Sequence, residues 1–237
     1  MSLETADSPL VELKNVYKYH YSKELETAAI NGIDLRIQSG EFVAIMGPSG
    51  SGKSTLLNLI GMIDRPSRGH YFFQGQLTNQ LVKKELAILR KNNIGFVFQS
   101  FNLIDELTAA ENVELPLIYL RIPASQRKKR VQQALAELEM SHRMNHYPQQ
   151  LSGGQQQRIA IARTIVTEPS LILADEPTGN LDSEHGKIVM DKLAYFHQRG
   201  ATIIMVTHSS RDAARAQRTI ELFDGTTIIP EADFLAS

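Results

Sequence analysis

The sequence has 237 residues, with 25 lysines and arginines against 26 aspartates and glutamates, and it contains no cysteine. A chain of this length can bury a sizeable core in one compact unit with room for a smaller lobe. The balanced charge, formally −1, argues against nucleic-acid binding, and the lack of cysteine excludes disulfides and thiol chemistry.

The sequence also bears on location. Residues 1–5 show no basic region followed by an apolar one, which argues against a secretory signal. No window approaches the roughly eighteen uninterrupted apolar residues of a membrane span. The densest basic run, residues 127–130, lies early in a predicted helix, and we interpret it as a solvated surface. We therefore expect a cytoplasmic protein whose membrane partner, if it has one, is another chain.

Two kinds of strand pattern are present. Residues 10–16 and 30–37 alternate apolar and polar positions, and together with residues 71–73 they predict a small antiparallel sheet. Other runs are apolar throughout, as expected of parallel strands covered on both faces by helices. These predicted parallel strands are residues 42–46, 94–98, 171–174 and 202–207.

Residues 47–54 read GPSGSGKS, a full match to the phosphate-binding loop G-x-x-x-x-G-K-[ST] in the required strand–loop–helix context. Its glycines let backbone N–H groups converge on phosphate oxygens at a helix start. Lys53 is predicted to reach the β- and γ-phosphates, and the Ser54 hydroxyl to ligate Mg²⁺. A tight connection would not need Lys-Ser in this register. The predicted nucleotide-binding residues here are Gly47, Pro48, Ser49, Gly50, Ser51, Gly52, Lys53, Ser54 and Thr55.

Gln99 closes the predicted strand 94–98, where it can contact a γ-phosphate and complete a Mg²⁺ shell, although a glutamine at a strand end usually faces solvent. The pattern then becomes helical. Thr108 and Glu111 form a capping-box pattern, and apolar residues between positions 131 and 138 fall on one helix face.

The sequence LSGGQ at residues 151–155 precedes a helix with apolar positions at helical spacing. Ser152 and Gln155 fit a capping box, which is the structural alternative. A plain cap does not need Gly153 and Gly154 in the first turn, where glycine lowers helix propensity. Bare N–H groups that approach an anion closely would need them. The chain thus carries a second predicted phosphate site for a nucleotide with one γ-phosphate.

Asp175 and Glu176 follow the strand 171–174, at the sheet edge where open α/β folds bind ligands. Adjacent side chains of an extended segment point opposite ways, so the two acids should differ in role. We assign Mg²⁺ binding to Asp175 and polarisation of the attacking water to Glu176. Standing alone, the pair would also fit an N-cap and a surface acid.

His208 follows the strand 202–207 and is predicted to contact the γ-phosphate. A lone histidine there is more often a simple hydrogen-bonding residue. Asp224 and Gly225 lie between residues 219–223 and 226–229 and predict a two-residue hairpin.

In identity and order these motifs resemble those of the ATP-binding subunits of ATP-binding cassette (ABC) transporters, over essentially the whole chain. In that family's terms they are the Walker A motif (47–54), Q-loop (Gln99), signature (151–155), Walker B (171–175), catalytic glutamate (Glu176), D-loop (180–182) and switch histidine (His208). The resemblance implies an α/β fold: a P-loop NTPase (RecA-like) parallel-sheet core with an antiparallel β subdomain and an α-helical subdomain, the ABC ATPase fold. It further implies one domain over residues 1–237, with the nucleotide-binding core at 1–98 and 163–237 and the helical subdomain at 99–162.

The resemblance also implies a mechanism: Mg²⁺-dependent ATP hydrolysis by two subunits paired head to tail. Each γ-phosphate is then gripped by the Walker A motif of one copy and the signature of the other. The roles that follow are Lys53, Glu176 and His208 in catalysis, Ser54, Gln99 and Asp175 as metal ligands, and Ser152, Gly153, Gly154 and Gln155 acting on the other copy's nucleotide.

Residues 95–103, 111–117 and 174–183 resemble a narrower group that contains macrolide exporters, lipoprotein-releasing systems and the bacterial cell-division ABC complex. This implies a membrane permease partner with a periplasmic domain, for export or for mechanical signalling. In the family the helical subdomain receives a helix of that partner, which makes Phe101, Leu103 and Ile104 candidate contacts. They equally fit a core, and the sequence favours core slightly.

In relatives an aromatic residue after the first strand stacks on adenine. Alignment puts His20 in that place, with Tyr19 and Tyr21 as substitutes; all three also fit ordinary loop aromatics. Other classes agree less well. A soluble ABC ATPase acting on nucleic acid or the ribosome usually has fused cassettes or long coiled coils, and a kinase or GTPase shares only the phosphate loop.

Overall fold

The computed structural model describes residues 8–21 and 26–228 of the chain, and the side chains of Tyr21 and Glu26 lie outside that description. Two further predictions concern residues outside the described ranges. They are the argument against a secretory signal, which rests on residues 1–5, and the end of the predicted hairpin at Ile229. No helix in the described ranges is long and apolar enough to cross a membrane. Among the described residues, those up to residue 87 and from residue 204 onward form one compact unit, and residues 88–203 form a second.

The first unit contains the predicted antiparallel sheet. Its strands are β1 (Val11–Tyr21), β2 (Glu26–Ile37), β4 (Arg68–Phe73) and β5 (Gln76–Leu77), in the order β2-β1-β4-β5. Leu13 pairs with Leu35 on one side and Tyr71 on the other, and all three side chains are buried. The first strand runs past the predicted end at residue 16 because a register shift after Leu13 absorbs Asn15 and pairing then resumes.

The phosphate loop lies between elements of this first unit. β3 (Phe42–Met46) is buried at Phe42, Val43, Ala44 and Ile45, and α1 is Lys53–Ile60. β3 pairs in parallel with β9 (Arg218–Phe223), which forms a hairpin with β10 (Thr226–Ile228). Asp224 and Gly225 connect the hairpin with φ of 45° and 74°, the left-handed backbone that a two-residue turn with matching twist requires. The predicted hairpin is therefore confirmed within the described residues.

The second unit combines parallel strands with helices. β6 (Ile94–Phe98) and β7 (Leu171–Asp175) pair in parallel, as predicted. A Cβ at Gly95 would lie 2.5 Å from Thr164 Cγ2, so glycine lets a helix pack directly on β6. The helices of this unit are α3 (Ala109–Tyr119), α4 (Ala124–Glu137), α5 (Gly153–Ile165) and α6 (Ser183–Gln198). α2 (Lys83–Asn93) and β8 (Thr202–Val206) each run across the division between the units, and the short α7 (Ser210–Ala213) belongs to the first.

Local sequence signals set the helix boundaries. Thr108 and Glu111 form the predicted capping box, in which Glu111 Oε2 accepts from Thr108 N–H at 2.8 Å. Hydrogen bonds from the Thr108 hydroxyl and N–H lower the pKa of Glu111. The predicted apolar face of α4 is also confirmed, since Val131, Ala134 and Leu135 are buried.

Candidate functional site

The phosphate loop is held by backbone from β2 and from the β9–β10 hairpin, all within the first unit. A Cβ at Gly47 would lie 2.1 Å from the carbonyl oxygen of Leu222, and one at Gly52 would lie 2.3 Å from that of Ala29. Gly52 has φ of 100° and is the N-cap of α1, a position that ordinary residues rarely adopt. The loop glycines thus serve close packing against the fold as well as access of N–H groups to phosphate.

Lys53 is folded back over this loop. Its Nζ donates to the carbonyl oxygens of Gly47 at 2.8 Å and of Pro48 at 2.7 Å. The ammonium group therefore lies over the curve of the loop, where an anion enclosed by the loop N–H groups would meet it. Ser54, in the first turn of α1, is exposed.

His208 lies at the same sheet edge as the phosphate loop. The N–H of Thr207 donates to the carbonyl oxygen of Ile45 at 3.1 Å, one residue before β3 ends and two before the loop begins. His208 follows directly and is exposed. The first unit therefore places the predicted γ-phosphate sensor beside the predicted phosphate cradle.

The acidic pair and Gln99 share an edge of the second unit. Phe98 of β6 is opposite Asp175 of β7, so Gln99 and Glu176 follow at paired positions. Glu176 has φ of 45°, a left-handed conformation that is uncommon for non-glycine residues and recurs at functional sites. The left-handed backbone at Glu176 ends the extended strand directly after Asp175.

Gln99 is tied to the D-loop by its side chain. Its Nε2 donates to Asn180 Oδ1 at 3.1 Å, and Asn180 Nδ2 donates to the carbonyl oxygen of Gln99, also at 3.1 Å. Gly179 makes room, because a Cβ there would lie 2.8 Å from Gln99 Nε2. Gln99 does more than face solvent.

The signature starts α5 with the capping box that its sequence predicts. Ser152 is the N-cap; its hydroxyl accepts from Gln155 N–H at 3.4 Å, and Gln155 Oε1 accepts from Ser152 N–H at 3.0 Å. Ser152 is exposed and Gly154 is buried. The cap and the phosphate site are compatible readings, since a capped helix start keeps its other N–H groups available.

Sequence reasoning missed two residues of α5. Gln157 is fully buried, and its Nε2 donates to the carbonyl oxygens of Pro177 at 2.6 Å and Phe98 at 3.3 Å, beside Glu176 and Gln99. The guanidinium of Arg163 donates to the backbone carbonyl oxygens of Phe101 and Asn102. Both of these residues have positive φ. Burial lowers the pKa of Arg163. A polar residue at a helical position within an apolar face was the available signal for Gln157.

Phe101, Leu103 and Ile104, for which a core position was slightly favoured, are not core residues. Ile104 is 43% exposed, and Phe101 and Leu103 are half-buried. The left-handed backbone at Phe101 and Asn102 turns this segment outward, which hydrophobicity alone does not reveal.

The aromatic candidates for adenine stacking differ in surroundings. Tyr19 stacks on Tyr17 with ring centroids 6.1 Å apart, and the guanidinium of Arg68 lies 5.7 Å from the Tyr19 centroid. His20 is exposed.

The candidate metal ligands are oxygen donors. Ser54 offers a hydroxyl, Gln99 an amide oxygen and Asp175 a carboxylate, a set that suits Mg²⁺ together with phosphate oxygens. Within the residues that the structure describes, no group of three or more histidine, cysteine and acidic side chains is placed to hold a metal by itself.

Comparison with known proteins gives the same family from sequence and from structure. A family described as "ABC transporter" matches residues 30–179. The chain is 50% identical over 220 residues to the macrolide export ATP-binding/permease protein MacB of Brucella abortus, covering 93% of this chain and 34% of the relative. It is 48% identical to the uncharacterized ABC transporter ATP-binding protein MJ1508 of Methanocaldococcus jannaschii, covering 92% of this chain and 98% of the relative.

A solved structure is similar as well. It is described as the dimeric structure of a post-hydrolysis state of the ATP-binding cassette MJ0796 bound to ADP and Pi, and it matches with a TM-score of 0.86 at 46% identity. The match covers 92% of this chain and 97% of that one. The chain spans only about a third of the length of the macrolide export relatives, so the similarity concerns one part of those proteins.

Proposed function

The chain belongs to the ABC transporter family and is an ATPase with the ABC cassette fold, and from that premise we propose that it drives a separate membrane permease by hydrolysing ATP between two copies of itself. The observation that carries the proposal is the phosphate loop, whose glycines are packed closely against the fold and over which the Lys53 ammonium is held by the carbonyl oxygens of Gly47 and Pro48. The assignment of residues 1–98 and 163–237 to the nucleotide-binding core, and of residues 99–162 to the helical subdomain, remains a prediction.

Each side chain has a task in the proposed reaction. Lys53 and the N–H groups of the loop bind the β- and γ-phosphates and offset the charge that develops on them. Ser54, Gln99 and Asp175 would hold Mg²⁺, which when bound neutralises phosphate charge. Glu176 orients the attacking water, and His208 contacts the γ-phosphate. Adenine is assigned to His20, because the ring of Tyr19 is already engaged by Tyr17 and Arg68.

Two copies are needed because each copy contributes only part of the groups that bind one γ-phosphate. Ser152 with Gly153 and Gly154 begins a second helix with available N–H groups, and one γ-phosphate does not need two such sites from one chain. The dimeric state described for the similar cassette MJ0796 supports a pair of copies in this protein as well, and we propose that the two copies are head to tail. In that pair the signature of one copy closes on the nucleotide of the other.

A groove in the second unit supports the proposal of a membrane partner. It has a volume of about 640 Å³, and Phe96 and Phe98 stack in it with parallel rings 5.5 Å apart. Leu115, Pro116 and Tyr119 of α3 also line it, and Tyr119 is 72% exposed. An apolar groove of this kind fits one amphipathic helix. We assign it to a cytoplasmic helix of the permease, which we expect to carry a periplasmic domain. The protein would then lie at the inner face of the membrane.

The decisive experiment is the Glu176→Gln variant. It keeps every phosphate-binding group but loses the water-orienting carboxylate, so we expect ATP to hold a stable dimer while turnover falls at least about a hundredfold. Size-exclusion chromatography with and without ATP, together with phosphate release, measures both. Near-normal hydrolysis would remove Glu176 from its role, and a monomer in saturating ATP would refute the shared site. The soluble alternative is not favoured, because the names of the MacB and MJ1508 relatives describe transport.

A further inference from the structure

The second glycine of the signature lies against a histidine of the next helix. A Cβ at Gly154 would be 2.3 Å from Cδ2 of His185, 2.7 Å from its Cγ and 2.9 Å from its Cβ. Real Cβ atoms essentially never approach other atoms that closely, so any other residue at position 154 requires the imidazole or one of the helices to move. All three of the nearest atoms belong to one side chain.

Asp182 of the D-loop restrains His185 through two hydrogen bonds, one to its ring and one to its backbone. Asp182 Oδ2 lies 2.7 Å from Nδ1 of the imidazole, and Asp182 Oδ1 accepts from the backbone N–H of His185 at 2.9 Å. These hydrogen bonds hold the pKa of Asp182 below its usual range. An ionised carboxylate only accepts hydrogen bonds, so Nδ1 carries the proton and the ring orientation is defined.

Gly153 gives the contrast. A Cβ there would meet Leu181 Cδ2 and Phe101 Cζ at 3.6 Å, which is ordinary van der Waals contact. The fold of the chain itself therefore tolerates alanine at position 153. The two neighbouring glycines are glycine for different reasons, and only Gly154 depends on the interior of its own subunit.

We propose that His185 is a positioning residue that joins the signature to the D-loop, and that position 154 is glycine in this chain because the His185 ring fills the space of a side chain. The inference deepens the proposed function and depends on it for the role of the signature. Through Asp182, His185 and Gly154 the D-loop and the signature turn form one packed piece. In the proposed dimer this piece keeps Ser152 and its neighbouring N–H groups in place for the other copy's γ-phosphate.

The first test is a double-mutant cycle that combines substitutions at Gly154 and His185. Gly154→Ala should lower ATPase activity about ten- to hundredfold, which corresponds to about 1.4 to 2.7 kcal/mol and is in the range of overpacking costs. His185→Gly alone should also lower activity, since the signature loses its support. In the Gly154→Ala background, however, the same change should raise activity, because it removes all three clashing atoms. His185→Ala leaves Cβ in place and should restore less.

Gly153→Ala is the matched control, because its added methyl group does not meet His185. We expect His185→Gly to give no gain of activity in that background. If Gly154→Ala is not improved by His185→Gly, the glycine is required by the nucleotide and not by the imidazole, and the inference is wrong. An equal gain in the Gly153→Ala background would overturn it as well.

A second test separates positioning from general destabilisation. In the Glu176→Gln background, His185→Ala should raise the protein concentration needed for ATP-dependent dimerisation, while ATP binding to the monomer stays unchanged. His185→Asn should restore dimerisation, because its amide N–H can replace Nδ1–H as donor to Asp182. If His185→Asn behaves like His185→Ala, or if neither differs from the parent, His185 does not position the signature.

The readouts distinguish failure of the inference from failure of the proposed function. A Glu176→Gln protein that never dimerises with ATP refutes the shared nucleotide. The packing can still be tested then by thermal unfolding, in which Gly154→Ala should lower the melting temperature and His185→Gly should recover part of the loss. Absence of that recovery contradicts the packing itself, whatever the oligomeric state.

Discussion

Gln99 and Asn180 hold each other at both ends: the amide of Gln99 donates to the side chain of Asn180, whose own amide donates back to the main chain of Gln99. The pair joins the end of β6 to the D-loop. Because Glu176 lies just before this loop, the pair also restrains the segment that carries the proposed water-orienting carboxylate. Gln99 is thereby fixed before any ligand binds.

We expect Asn180→Ala to lower kcat several-fold with little change in ATP affinity. The variant loses two hydrogen bonds, each worth about 1 kcal/mol, that orient a proposed Mg²⁺ ligand. Adding Gln99→Ala should cause less further loss than the same change does in the wild-type background, since the two residues act as one unit. Steady-state ATPase assays of the four proteins measure this. Strictly additive losses would show that the residues act independently.

Lys53→Ala should weaken ATP binding at least about tenfold, because the ammonium group is charged and lies over the loop. Lys83 provides a matched control. It is also the first residue of a helix, it is exposed, and its loss changes the net charge equally. Titration with a fluorescent ATP analogue should leave Lys83→Ala unchanged. Equal affinity of the two variants would contradict the assigned cradle.

The groove predicts an effect on partner binding without an effect on the nucleotide. Tyr119→Glu places a charge in the groove and should abolish copurification of a membrane protein from detergent-solubilised membranes, while the ATPase activity of the isolated subunit stays the same. Tyr195→Glu alters another exposed tyrosine, which does not line the groove. It should leave copurification intact. Loss in both variants, or in neither, would place the permease elsewhere.

Tyr71 predicts a specific stability loss. Its buried hydroxyl donates to the carbonyl oxygen of Ile60 at 2.7 Å, at the end of α1. Tyr71→Phe leaves that carbonyl without this donor and should lower the free energy of unfolding by about 1 to 2 kcal/mol. Tyr119→Phe, at an exposed position, should cost almost nothing. Urea unfolding of both variants compares them, and equal stability would mean that the carbonyl finds water.

The same tyrosine predicts a dependence on alkaline pH. Burial raises the pKa of Tyr71 above its ordinary value of about 10. As pH rises, the Tyr71 phenol ionises first in the unfolded chain, because its pKa there is the ordinary one. The contribution of Tyr71 to the free energy of unfolding is therefore complete below a pH of about 10. Above that pH it is lost, by up to about 1.4 kcal/mol per pH unit. The wild type should therefore lose stability more steeply than Tyr71→Phe above that pH. If the stability of both proteins falls equally with pH, Tyr71 ionises in the folded state at its ordinary pKa.

Much of the site was readable from the sequence. The phosphate loop, the capping box at Ser152 and the hairpin at Asp224 depend on residues close together in the chain, where backbone geometry dictates which types are allowed. The apolar runs likewise predicted β3 and β6 at their observed bounds. The order of these motifs was sufficient to identify the family.

Contacts between distant segments were not readable. The polar residue at position 157 stands out in an apolar helix face, but the sequence does not indicate that it bonds the backbone beside Gln99 and Glu176. Likewise, the interval of 31 positions between Gly154 and His185 gives no sign that the two residues touch. The sequence by itself determined which chemistry the chain carries, since phosphate binding needs particular residues at short, regular spacing. Only the tertiary structure decided which side chains hold those groups in position, because packing joins residues by distance in space and leaves no pattern along the chain.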